Sequence, residues 1–338
     1  MNEVLPVFRG CVGNADGKCV AGFVPLRADV ILLYIKKTLR WGVPMKTFDA
    51  IIKKEPITQG WSEDKKYCVT TADGTKYLLR VAPRSEYETR KSLFSILEKA
   101  VALDVPMCLP VEFGICGDGV YFLQEWINGT DLDIVLPTLS DAEQYVLGVE
   151  SGKILQKIHG ISAPTTFEKW ETHFSSETDI NIKKYQACGL RFSGDDYVLT
   201  YIDQNRYLLK NRPQCFHHGD FSARNIMIEN GALKCIDFER YYFGDPFYEF
   251  FYVMLEAVQT PHFSSGQFYG YFNGEPPLYF FKLYAFYIVS NFLSAIYEAA
   301  LSGQNETDAM LKQSQQILQW FDNMQNPIPA WYSGNSTK

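Results

Sequence analysis

Between Cys215 and Glu239, three polar residues are tied to one very short scaffold. His218-Gly219-Asp220 is followed by Asn225, the apolar run Ile226-Met227-Ile228, a Glu-Asn-Gly turn at 229–231, and a second run ending in Ile236-Asp237-Phe238. Apolar runs split by Asn-Gly predict two strands and a tight turn, because that turn needs positive φ at its centre. The strands then hold Asp220 and Asn225 before the first and Asp237 after the second, at fixed separation. A carboxamide oxygen and a carboxylate are hard ligands suited to Mg²⁺. A further carboxylate can accept or orient the proton of a hydroxyl. Phosphoryl transfer needs these things: a positioned nucleophile and metal charge set against the phosphates.

The rest of the chain is organised around this segment. Residues 1–44 are turn-rich, with a possible short helix from Val30 to Trp41, and read as an N-terminal extension of no nameable chemistry; Met45 is an alternative start. Residues 45–124 predict a small sheet. Lys66 to Thr71 and Thr75 to Val81 flank Ala72-Asp73-Gly74 as a hairpin, a helix runs from Ser85 to Ala102, and two short strands follow at Pro110–Phe113 and Gly119–Glu125. Residues 125–130 form a hinge. From 131 to 332 the pattern is mainly helical: Asp141 to Ile158 stopping at His159-Gly160, a less regular stretch at 161–200, then aromatic-rich helices at Tyr248–Val258, Leu278–Leu301 and Asp308–Met324. Residues 333–338 are a polar tail.

The spacing His218-Gly219-Asp220-x-x-x-x-Asn225, followed by Ile236-Asp237-Phe238-Glu239 and Gly244-Asp245-Pro246, resembles the aminoglycoside phosphotransferase family of the protein-kinase-like superfamily. The resemblance runs from about Pro56 to Tyr332, includes the closing Asn-Pro-x-Pro-x-Trp-Tyr, and leaves out residues 1–44. It implies an α+β, bilobal protein-kinase-like fold, with a small antiparallel-sheet N-lobe and a larger helical C-lobe. It also implies an ATP- or GTP-dependent enzyme that uses Mg²⁺ to move the γ-phosphate to an alcohol.

By that resemblance Asp220 is the catalytic residue, and Asn225 and Asp237 are the metal ligands. Arg80, on the second hairpin strand, stands where many relatives place a phosphate-binding Lys; a guanidinium can grip phosphate bidentately. Glu88 is its expected helix partner, with Glu86 the neighbouring choice. Ser62, in Gln59-Gly60-Trp61-Ser62, falls in the phosphate-covering loop, and the backbone of Gln124, Glu125, Trp126 and Ile127 is expected to hold the purine. Glu239, Glu249 and Glu256 are candidates for substrate amines. His218 and Asp245 read as structural, through loop hydrogen bonding and helix capping respectively.

Charge and composition narrow the partners. The net charge of −7 argues against nucleic acid. Residues 45–130 carry 11 basic and 12 acidic side chains, whereas 213–300 carry 4 and 9, so the second half favours a cationic, hydroxylated small molecule, or is simply a solvated acidic face. The Val30–Ile35 run is too short to span a bilayer and no signal peptide precedes it, so a cytoplasmic protein without a membrane partner, monomer or dimer, is expected. Eight cysteines without a C-x-x-C pair read as buried thiols. An aminoglycoside is the leading acceptor; choline, a sugar, an amino alcohol or a macrolide are the alternatives, and a nucleotide-binding pseudoenzyme is the non-catalytic reading. A protein kinase fits poorly, since no Gly-x-Gly-x-x-Gly loop and no Ala-Pro-Glu segment are present.

Overall fold

The computed structural model describes residues 11–13, 19–21, 46–58 and 64–334. Two units divide the chain, 1–51 and 52–338. In the first, β1 (Cys11–Gly13) and β2 (Cys19–Ala21) pair antiparallel. The helix expected at Val30–Trp41 lies outside the described residues.

The second unit begins with a five-stranded sheet in the order β3-β4-β5-β7-β6: β3 (Ile51–Ile57), β4 (Lys65–Thr71), β5 (Lys76–Pro83), β6 (Pro110–Cys116) and β7 (Gly119–Glu125). The Asp-Gly hairpin forms as its turn chemistry predicts, pairing Thr70 with Lys76 and Lys66 with Arg80, with Gly74 at φ +84°. Helix α1 (Tyr87–Ala102) packs on this sheet through Leu93, Leu97 and Ala100, two residues later than expected because Arg84–Glu86 form a 3-10 turn.

After β7 the chain crosses at 126–129 into β8 (Thr130–Asp131) and α2 (Leu132–Val135). Helix α3 spans Asp141–Ile158 as its periodicity predicts; Ser140 and Glu143 cap it reciprocally. The irregular stretch resolves into α4 (Trp170–Ala187) and α5 (Asp195–Asn205). Their helical period is blurred in sequence, because the face that α4 buries includes Thr178 and Asn181. Then come β9 (Cys215–His217), the hairpin β10 (Ile226–Glu229) and β11 (Ala232–Cys235), and β12 (Tyr242–Gly244), which pairs with β9.

The single helix expected at Tyr248–Val258 is a 3-10 turn, Tyr248–Tyr252, leading into α6 (Val253–Ala257). Helices α7 (Pro261–Phe272), α8 (Leu278–Ser302) and α9 (Gln304–Trp320) complete the unit. Helix α8 is the one described helix long and apolar enough to cross a membrane; it is largely buried inside the protein. Its Phe280, Tyr284, Phe286 and Tyr287 sit at the centre of the aromatic core, each fully buried ring contributing about 2–3 kcal/mol.

Helices α3 and α7 meet backbone to backbone. A Cβ at Gly148 would stand 2.1 Å from the Phe263 carbonyl oxygen, one at Gly152 2.1 Å from that of Gln267, one at Gly266 2.2 Å from that of Tyr145, and one at Gly270 2.0 Å from that of Val149. Sequence reading missed α7 because its two glycines look like breakers; in the fold they are what allows the helix to seat.

Candidate active site

The loop after β9 is held from three sides. Glu249, fully buried, accepts from the backbone N–H of His218 at 3.2 Å and of Gly219 at 2.7 Å, and pairs with His159 Nε2 at 2.8 Å. Burial would lift the Glu249 carboxyl, but the three histidines around it (His217, His159, His218) outweigh that, so it stays well below the usual carboxylate range. His218 reaches the Ile236 carbonyl at 2.8 Å and its ring lies 4.4 Å from that of Phe238, tilted 43° to it, tying this loop to the Asp237 turn. Gly219, at φ +87°, is required there: a Cβ would lie 1.9 Å from the Arg240 carbonyl oxygen.

Asp220 follows directly. Its Oδ2 lies 3.8 Å from Arg240 Nη1, while Oδ1 is buried and has no hydrogen-bond partner. Asn225 Nδ2 donates to the Asp220 carbonyl at 2.8 Å, which orients the side chain and leaves its carboxamide oxygen to serve as an acceptor or ligand. The turn between β10 and β11 takes the expected form, with Asn230 and Gly231 at positive φ. Beyond β11, Asp237 is itself left-handed (φ 63°, ψ 62°), a conformation that Asp adopts more readily than most non-glycine residues. A carboxamide oxygen and a carboxylate on one hairpin fit a Mg²⁺ ion.

Arg80 enters from β5. Its Nη1 is 3.0 Å from Asp237 Oδ1, and its Nε is 3.3 Å from Asp64 and 3.4 Å from Glu239. Burial acts to raise the Asp237 carboxyl, but the charge of Arg80 and its hydrogen bond, with Lys66 and His218, bring it below its ordinary value. Arg90, on α1, joins Asp64 at 2.8 Å and also pairs with Glu239.

This network corrects several expectations. Glu88 is exposed near the start of α1 and is not among the carboxylates on Arg80; Asp64 and Glu239 take that role. Glu86 turns to Arg90 at 2.8 Å. Glu239 spends its carboxylate on the two arginines, leaving it poorly placed for a substrate amine. Glu249 is sealed beneath the loop, its carboxylate taken up by His159 and by the N–H groups of His218 and Gly219. Asp64 and Arg90 were missed, because a buried ion pair between a loop end and a helix has no fixed spacing. Asp245 is structural as expected: it binds Arg212, accepts from Tyr287 at 2.6 Å and caps the Phe247 N–H at 2.8 Å.

The crossing segment is partly committed. Glu125 N–H donates to the Leu109 carbonyl at 2.9 Å, and the Cys108 thiol donates to the Glu125 carbonyl. Gln124 is buried and donates to the Cys108 carbonyl at 3.5 Å. Trp126 and Ile127 lie in the irregular crossing between β7 and β8, anchored where Asn128 N–H meets Glu229 at 2.6 Å. Ser62 lies outside the described residues. Cys68, Cys108, Cys116, Cys188, Cys215 and Cys235 are free thiols. His159, Cys215 and His217, with His159 remote in sequence from the other two and no C-x-x-C pair, converge in the fold, with donor atoms within 4.8 Å of one another.

Two cavities flank the site. One of about 760 Å³ is walled chiefly by aromatic rings, among them Trp170, Tyr241, Phe243 and Tyr248, with His173, Glu177 and Glu239. The other, about 380 Å³, opens beside the catalytic loop between Asp133 of α2, Ser222 and Glu256.

A search of curated protein sequences gives no match. The structure is similar to a choline/ethanolamine kinase family protein from Mesorhizobium loti, with a TM-score of 0.54 at 13% identity, covering 88% of this chain and 97% of that one. It is similar to the aminoglycoside phosphotransferase APH(2'')-IIa, solved as a ternary complex with streptomycin and ATP (TM-score 0.53, 17% identity, 87% and 97% covered). It is also similar to a thermostable mutant of APH(4)-Ia in apo form (TM-score 0.52, 16% identity, 80% and 95% covered). At these identities the likeness establishes the bilobal, kinase-like fold. The sequence model of the phosphotransferase enzyme family matches residues 54–281, more than half of the chain. The chain therefore belongs to that family, as a small-molecule enzyme that transfers phosphate to a hydroxyl group.

Proposed function

We propose that the protein transfers the γ-phosphate of ATP or GTP, with Mg²⁺, to a hydroxyl of a cationic small molecule, an aminoglycoside or another amino alcohol. The observation that supports this best is the single frame joining Asp220, Asn225 and Asp237 to Arg80 on the opposite sheet. Asp220 orients the acceptor hydroxyl and takes its proton as the oxygen attacks phosphorus. The new O–P bond forms as the bond to the β-phosphate bridging oxygen breaks, and the nucleoside diphosphate leaves with that electron pair. Asn225 and Asp237 would hold Mg²⁺, which supplies charge against the phosphates. Arg80 would exchange part of its carboxylate contact for phosphate oxygens. With the Glu125 backbone already bonded within the protein, Trp126 and Ile127 in the crossing after β7 would receive the purine through their backbone.

The aromatic walls of the larger cavity favour a second reading, a bulky and partly apolar acceptor such as a macrolide. The test is nucleotide turnover with Mg²⁺ across kanamycin-type aminoglycosides, a macrolide, choline and simple sugars, with ATP and GTP in parallel and Asp220→Ala as blank. Micromolar stimulation by an aminoglycoside supports the first reading, and stimulation by the macrolide alone supports the second. Nucleotide binding without turnover of any acceptor would overturn both.

A further inference from the structure

The 380 Å³ cavity beside the catalytic loop has an unusual floor. Glu256, on α6, accepts the Ala223 backbone N–H through Oε1, while its Oε2 is buried with no hydrogen-bond partner. Ser222, also in the cavity wall, has a buried hydroxyl without a partner. Two residues earlier on the same loop, Asp220 Oδ1 is in the same condition. Buried oxygens left unpaired cost about 1–3 kcal/mol each, so a cluster of them beside a reacting carboxylate calls for a donor-rich ligand. An ammonium group brings three N–H donors and no acceptor.

Charge agrees with that choice. Around Glu256 stand the carboxylates of Asp133 and Asp220, the phenols of Tyr252 and Tyr284, and one guanidinium, Arg224. Carboxylates outnumber the cation. Leu136, Pro137 and Leu255 supply an apolar rim, against which a carbon skeleton can lie.

We propose that Glu256 and Ser222 form an ammonium seat, making Glu256 a specificity-determining residue that selects acceptors with an amine close to the reacting hydroxyl. The inference rests on the phosphotransferase reading only for which hydroxyl reacts. Ser222 and Asp220 are two residues apart, so their Cα atoms lie within ~7 Å, and Glu256 feels the charge of Asp220; amine and reacting hydroxyl are therefore neighbours, as in a vicinal amino alcohol. Burial holds the Glu256 carboxyl up to about 7, with Asp220 and Asp133 adding to the rise and the Ala223 N–H and Arg224 opposing it. Binding of the amine therefore strengthens as pH rises from 6 to 8 and the carboxylate forms.

The experiment is equilibrium binding of trans-2-aminocyclohexanol, whose ammonium persists through pH 8, and of trans-cyclohexane-1,2-diol to the full chain, followed by ligand-observed NMR at pH 6 and pH 8. The diol has a hydroxyl where the amino alcohol has the ammonium. The wild type is expected to prefer the amino alcohol at least tenfold at pH 8. Glu256→Gln, which keeps an acceptor for the Ala223 N–H, should erase the preference, and Ser222→Ala should reduce it several-fold. Melting temperature and ATP affinity serve as checks that each variant folds. Equal binding of the two probes by the wild type, or a preference that survives Glu256→Gln, would overturn the proposal. Asp220→Ala keeps the seat, so an intact amine preference without turnover by any form of the protein would count against the phosphotransferase reading alone.

Discussion

Arg80 Nη1 and Asp237 Oδ1 stand 3.0 Å apart, joining a strand of the small sheet to the residue that ends the β10–β11 hairpin, 157 positions away in sequence. A planar guanidinium meets Asp64 and Glu239 from the same group. An ammonium, compact and strongly hydrated, cannot span three carboxylates in this way. Arg80→Lys is expected to weaken nucleotide binding on the order of tenfold, read by titration of ATP with and without Mg²⁺.

Asp220→Ala should lower kcat about 10²–10⁴-fold while nucleotide affinity stays within a few-fold, since the side chain acts on the acceptor hydroxyl. An unchanged kcat would remove Asp220 from the reaction.

Asp237→Ala should abolish the Mg²⁺ dependence of nucleotide binding, measured as ATP affinity across a magnesium titration. Dependence that persists would place the metal on other oxygens.

Glu249→Ala should cost about 3–5 kcal/mol, because it strips two buried N–H groups and His159 of their acceptor. The pH sign follows from the lowered carboxyl. Its contribution is present above the unfolded carboxylate range and is lost as pH falls through the folded value. Urea melts from pH 7 down to pH 3 should show a steep acid loss in the wild type and a shallower one in Glu249→Gln.

The frame that carries the candidate site was legible in the sequence. The placing of Asp220 and Asn225 before one short strand and Asp237 after the next follows from local elements, two strands and an Asn-Gly turn. Arg80 was legible for the same reason, at a fixed register on an Asp-Gly hairpin. What could not be read was pairing across distance. Glu88 was chosen by position along a helix, yet the carboxylate on Arg80 that lies nearest in sequence is Asp64, sixteen residues away. Glu239, Glu249 and Glu256 look alike as acidic side chains in an acidic half. Burial alone separates them into an arginine clamp, a loop anchor and a cavity floor.

The glycine seam between α3 and α7 gives a test remote from the chemistry. Gly266→Ala would drive a methyl into the Tyr145 carbonyl and should lower stability by about 2–3 kcal/mol, measured by denaturant melts.

That seam also constrains how this enzyme can change over time. His159 sits at the C-terminal end of α3 and binds Tyr271 of α7 at 2.9 Å, and Gln156 binds the Tyr271 carbonyl at 2.7 Å. The same histidine holds Glu249, which holds the backbone of His218 and Gly219. With main chain already touching main chain, no smaller residue is available to accommodate a shift, and any larger one is transmitted to the loop that carries Asp220. New acceptors must therefore be won at the cavity walls, through residues such as Leu255 or Gln259, while α3 and α7 act as a fixed datum from which the reacting groups are measured.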